Sequence, residues 1–162
     1  MDRITKSLQT YLKSANIQYQ TLFNSDTGNK KGNPTSTSFH VKNSGDTSQI
    51  VNIIIDIFPK DCQIFLSAHP RVVIDGEGMD KIKALEIKWN ACGLFTRICV
   101  SEEMGVVEYD RYCFQLILQG ISDRNGLSNY VWKRYIEILI SDTFEAWDKI
   151  ATLSISDVAI PC

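Results

Sequence analysis

The chain has no apolar run able to cross a bilayer as a helix. About 20 consecutive residues are needed, and the strongest candidate, Ile50 to Phe58, is interrupted by Asn52 and Asp56. Membrane insertion is therefore not expected. Charge of one sign is also missing: Lys and Arg number 17 against 19 Asp and Glu, for a net charge of -2. The basic residues are scattered, which argues against the positive stripe of a nucleic-acid-binding surface. None of the five cysteines (Cys62, Cys92, Cys99, Cys113, Cys162) forms a C-x-x-C pair, the spacing that zinc sites and dithiol redox centres use. The expectation for them is the ordinary one for free thiols, small reduced core residues. The opening Met-Asp-Arg-Ile-Thr-Lys-Ser-Leu lacks the apolar centre of a secretory signal, so a cytoplasmic location is expected.

What is present is the composition of an ordinary folded domain, 162 residues with 44% hydrophobic and 22% charged side chains. That length suits one buried core. A single domain is expected over residues 1–152, followed by a C-terminal tail over 153–162. Residues 2–14 read as a helix capped by Asp2, with Ile4, Leu8, Tyr11, Leu12 and Ala15 on one stripe and Asn16 as its stop. Alternation over 17–23, at Phe39 and Val41, over 51–58 and over 63–68 predicts strands, with Pro70 interrupting the last and Val72 to Ile74 as a resumption. Ile82, Leu85, Trp89 and Cys92 predict a second helix ended by Gly93. Residues 94–101 and 105–112 then read as a hairpin, which Phe114, Leu116 and Leu118 extend. The clearest segment is a helix over about 128–150. There Trp132, Tyr135, Ile136, Leu139, Ile140, Thr143, Ala146, Trp147 and Ile150 share one face at 100° per residue. The fold class expected is α+β, an antiparallel sheet with elements in the order α-βββ-α-βββ-α, and not a βαβ nucleotide fold.

The chemistry-bearing motifs are weak. The loop around Asn24 to Pro34 lacks the spacing of a phosphate-binding loop, and Pro34 would block the helix whose amides hold the phosphate. Asp75, Glu77 and Asp80 lack the alternating oxygen ligands of a calcium loop. Glu102, Glu103, Glu108 and Asp110 suit a solvated strand face that discourages edge pairing. His40 lies in an alternating strand and His69 precedes a proline, and no local feature activates a thiol beside either. No catalytic residue, metal site or cofactor is expected. The remaining signal is a surplus of apolar side chains on the less buried sides of their elements: Ile54, Phe58, Phe65, Val131 and Ile138. Such residues suit a partner surface.

A family resemblance accompanies this reading. The N-terminal helix ending in S-A-N-I-Q-Y, the helix-to-strand switch A-L-E-I-K-W-N-A-C-G-L-F-T-R-I-C-V, G-V-V-E-Y-D-R-Y and L-S-N-Y-V-W-K-R-Y-I-E-I-L resemble the YbjN-like family of bacterial sensory transduction regulators. The domain of that family resembles the type III secretion chaperones. The resemblance implies a non-enzymatic, homodimeric module that binds a client polypeptide or adjusts a regulatory pathway. Sheet-edge pairing and apolar pockets would be its physical means. Two other readings stand beside it: a small-ligand sensor with a pocket between sheet and last helix, and an enzyme built on Cys99 or Cys113 with a histidine.

Overall fold

Asp2 starts the first helix, α1 (Arg3–Ser14). Its Oδ1 accepts the Thr5 backbone N–H at 2.6 Å and its Oδ2 accepts the Thr5 hydroxyl at 2.7 Å, satisfying an amide that a first turn leaves without an intrahelical partner. Asn16, at φ 55°, ends it, in the left-handed region that asparagine tolerates better than most residues. The computed structural model describes residues 2–23, 34–71, 76–92, 95–101, 111–119 and 126–155. Within them the chain continues as β1 (Gln20–Phe23), β2 (Thr35–Lys42), β3 (Ile50–Phe58), β4 (Gln63–Pro70), α2 (Gly76–Ala91), β5 (Arg97–Ser101), β6 (Arg111–Gln119) and α3 (Asn129–Ile155).

The six strands form one sheet in the order β1-β2-β3-β4-β6-β5, and every neighbouring pair is antiparallel. Because β4 and β5 both run antiparallel to β6, they are parallel to each other, and α2 links them across the gap that β6 fills. This is a split crossover, and the sheet itself contains no parallel pairing.

The α+β class matches expectation; against the expected order α-βββ-α-βββ-α, the described residues run α-ββββ-α-ββ-α. Two features cause the difference. Residues 35–42 form a strand of full length, since Thr35 and Thr37 alternate inward with Phe39 as an apolar pattern would. Residues 111–119 run unbroken where a division between Tyr112 and Phe114 was expected. Most of the predicted strand 105–112, and residues 72–74, lie outside the described residues. Pro70 ends β4, and the Arg71 amide then donates to the Ile50 carbonyl at 2.9 Å. The second helix begins at Gly76, ahead of Ile82, and the last extends to Ile155, so residues 153–155 of the expected tail are helical.

One face of the sheet is packed against the helices. Thr37 and Phe39 of β2, Val51, Ile53, Ile55 and Ile57 of β3, and Ile64, Leu66 and Ala68 of β4 are buried in register across adjacent strands. Leu116, Leu118 and Ile98 continue the layer. Onto it fold Ile4, Leu8 and Leu12 of α1, Ile82, Leu85 and Trp89 of α2, and Trp132, Ile136, Leu139 and Ala146 of α3. Each fully buried aliphatic or aromatic side chain contributes roughly 1.5–3 kcal/mol relative to exposure. The α3 stripe expected from periodicity is therefore the buried one, flanked by half-buried Tyr135, Ile140, Trp147 and Ile150.

Ser7 joins the first and last helices. Its hydroxyl donates to the Ile4 carbonyl at 2.7 Å and accepts from the Leu127 amide at 3.1 Å and the Trp132 indole N–H at 3.0 Å, using the hydroxyl's full capacity. Gly126 lies against this junction at φ +64°, where an added Cβ would come within 3.0 Å of the Arg3 carbonyl and 3.1 Å of Ser7 Cβ. Both the backbone angle and the close approach require glycine there.

The thiols depart from expectation. Cys62 and Cys92 are exposed and Cys99 is half-buried, and none of the three is in a disulfide. Cys62 stands in the turn between β3 and β4 at φ 52°, and Cys92 follows the last residue of α2. Both are connection positions that lie off the core stripes.

Candidate interaction surface

The period-two alternation that buries one sheet face delivers a second set of side chains to the opposite face, away from the helical layer. Ile54, Phe58 and Phe65 fall in this set. Phe58 and Phe65 meet edge to face with centroids 5.4 Å apart at 83°, a favoured aromatic geometry. Phe65 stands directly opposite Ile117 of β6, which is 44% exposed. At the β1 edge Leu22 is 68% exposed and stands opposite Ser36, which is opposite Asp56, which is opposite Phe65. The face thus carries an apolar cluster, Phe58–Phe65–Ile117 with Ile54 beside it, set among Ser36, Ser38, Gln63 and Gln115 and with Asp56 standing between Ile54 and Phe58.

Val131 and Ile138 do not join that cluster. Both are half-buried on α3, along one flank of the helix, and so stand on the helical side of the molecule. The five residues singled out from sequence therefore divide into two separate patches, three on the sheet and two on the helix. Ile117 completes the sheet patch; Leu22 stands apart at the β1 edge, across Ser36 and Asp56, and Phe95, 78% exposed, lies just before β5. Ile117 carries a sequence signal, because it alternates with buried Leu116 and Leu118. Phe95, in a bend and not a strand, carries none.

The open face also bears a polar row in which His40, Asn52 and His69 stand opposite one another on β2, β3 and β4. The Arg71 guanidinium lies 3.2 Å from His40 Nε2. Since a guanidinium only donates, His40 Nε2 is the acceptor in this contact. His69 Nε2 lies 3.0 Å from the Ser67 hydroxyl, and Asn52 Oδ1 is buried without a hydrogen-bond partner. The Cys99 thiol donates to Gln115 Oε1 at 3.3 Å. Among the described residues no group of three or more His, Cys, Asp or Glu side chains is placed to hold a metal ion.

The β5 edge is sealed by side chains of α2. In an antiparallel pair alternate residues direct their peptide groups outward, and here four of those groups, the Thr96 carbonyl, both groups of Ile98 and the Val100 amide, are occupied. Asn90 Nδ2 donates to the Ile98 carbonyl and Asn90 Oδ1 accepts the Ile98 amide, each at 3.0 Å. The Trp89 indole donates to the Thr96 carbonyl at 3.2 Å, and Glu86 Oε1 accepts the Val100 amide at 3.4 Å. The Asn90 carboxamide acts as a substitute strand, so this margin is closed to β-strand addition.

Thr96 also fixes this end of the sheet to α3 by donating its hydroxyl to Asp142 Oδ2 at 2.7 Å. Burial raises the Asp142 carboxyl above the ordinary aspartate range; the Thr96 bond opposes the shift and the Glu145 charge adds to it. With the folded pKa above the unfolded one, the folded state holds the proton more readily. The contribution of this group to stability is therefore greatest at low pH and declines as pH rises through its folded pKa. Asp142→Asn keeps an acceptor for Thr96 and should raise the urea midpoint at about pH 7, with the gain shrinking below about pH 4, where the wild-type carboxyl is protonated in both states.

No family model, curated protein or solved structure matches the chain. No helix among the described residues is long and apolar enough to cross a membrane.

Proposed function

We propose that the chain is a non-enzymatic interaction module that holds an extended polypeptide against the open face of its sheet and self-associates through the α3 flank. The observation that carries this reading is the apolar cluster of Phe58, Phe65 and Ile117, with Ile54 beside it, on the sheet face opposite the helices. Its apolar members are neighbours across strands, Phe65 directly opposite Ile117 and Phe58 in ring contact with Phe65, and such a cluster offers pockets for the apolar side chains of an extended segment. Val131 and Ile138 lie on the other side of the sheet, so partner binding and self-association do not compete for the same surface. Three cysteines outside any disulfide, two of them exposed, suit a reducing, cytoplasmic setting. Membership of the YbjN-like family, with a secretion-chaperone-like arrangement, is part of the same proposal and rests on the sequence patterns quoted above. Client capture by edge pairing is dropped for the β5 margin, which α2 occupies.

The test uses a fluorescein-labelled, reduced and carboxymethylated polypeptide that stays unfolded, with binding read by anisotropy. Ile54→Thr and Phe65→Thr keep strand propensity and should each weaken binding by about 10-fold, the scale of one lost apolar anchor. Val131→Ser with Ile138→Ser should leave that affinity unchanged and convert a dimer to a monomer in light scattering. Equal binding by wild type and the sheet variants would reject the open face as the partner surface.

A further inference from the structure

Where the apolar cluster reaches the β5 side of the sheet, it opens into a surface recess of about 320 Å³ lined by Phe95, Arg97, Gln115 and Ile117. Arg97 and Gln115 stand directly opposite each other on β5 and β6. Cys99 anchors the Gln115 carboxamide through its Oε1, so that wall is held in place. Among the described residues Arg97 takes part in no ion pair, and it shares the recess with two exposed apolar side chains, Phe95 and Ile117. A cation in that setting is complemented by an anion, and a carboxylate matches the planar guanidinium fork through two parallel hydrogen bonds.

We infer that this recess receives the C-terminal residue of a polypeptide partner, its free carboxylate on Arg97 and an apolar side chain between Phe95 and Ile117. This rests on the reading of the open face as a polypeptide surface and names which part of the partner is read. Three features favour a chain end over other anions. Ile117 belongs both to the recess and to the cluster, so a segment lying along Phe65 and Ile117 arrives at Arg97. The volume is at the lower end for ligand pockets, roughly 300–1,000 Å³, which fits a single residue. A C-terminal leucine or phenylalanine carries carboxylate and apolar group on one α-carbon, whereas an internal Asp or Glu brings the charge alone.

The experiment compares fluorescein-labelled short peptides of one apolar-alternating sequence, ending in leucine as the free acid or as the amide, against the full chain and its Arg97→Gln and Phe95→Ser variants. Both substituted side chains are exposed, so the fold is retained. The amide should bind at least about 10-fold more weakly than the acid. Arg97→Gln should abolish that difference by weakening the acid alone, and Phe95→Ser should weaken both forms. Acid and amide binding equally, with Arg97→Gln silent, would overturn the inference while leaving the open-face reading intact. So would failure of both peptides where the unfolded polypeptide still binds. Octanoate or N-acetyl-leucine displacing the peptide acid at equal affinity would assign the recess to a free small acid instead. Absence of binding by every peptide and by the unfolded polypeptide would remove both readings together.

Discussion

Trp132→Ala is expected to lower the free energy of unfolding by about 3–5 kcal/mol, the range for truncating a fully buried large aromatic. Trp132 is 0% exposed and packs in the single buried cluster with side chains of α1, α2 and the sheet. Its indole N–H also fills one of the two acceptor positions on Ser7, so truncation removes volume and a hydrogen bond together. Trp132→Phe separates the two contributions. It retains most of the packing but leaves Ser7 short of a donor, and should cost about 1–2 kcal/mol. Equilibrium urea unfolding checks both values, with Trp89 and Trp147 remaining as fluorescent reporters. A cost for Trp132→Ala below that of Trp132→Phe would show that the α1–α3 junction does not depend on this side chain.

Asn90→Ala is expected to cost about 2 kcal/mol, one net hydrogen bond for each of the two Ile98 peptide groups it satisfies. Its larger consequence is structural, because the Ile98 amide and carbonyl would then face outward as an unpaired strand margin. Light scattering at tens of micromolar should report species larger than those of wild type. Asn90→Asp keeps an acceptor for the amide but sets a charge against the Ile98 carbonyl, and should behave like the alanine variant. Asn129→Ala, which loses only an exposed 3.4 Å contact to Ser14, is the matched control and should change neither property. Unchanged size and stability in Asn90→Ala would mean that the margin is protected by other groups.

Periodicity made the helices and the strand cores readable before any coordinates. Asp2 as a cap, Asn16 as a stop and the α3 stripe are local signals, each complete within a few residues of sequence. The second face of the strongest strand was legible in the same way, which is why Ile54 and Phe58 stood out as surplus. Their union with Phe65 and Ile117 was not, because strand register is decided by long-range pairing that no short window contains. Asn90 was equally silent. A carboxamide near a helix end reads as solvated, and only the return of β5 alongside α2 gives it two peptide groups to satisfy. Thr35 and Thr37 hid part of β2 for a related reason: a hydroxyl that finds a partner can be buried, as Thr35 does by donating to Thr5 at 3.0 Å while Thr5 gives its own proton to Asp2. The exposed thiols were misread because composition says what cysteine prefers and nothing about where turns fall.

A sheet grows into a fibre only if each unit can accept a neighbour on both margins. With the α2 carboxamide already docked along β5, the sheet formed by the described residues keeps one open margin, at β1, and behaves like a chain stopper. Strand-to-strand union must then end at two copies, so even a concentrated solution of the intact chain should contain no ladder of higher multiples built that way.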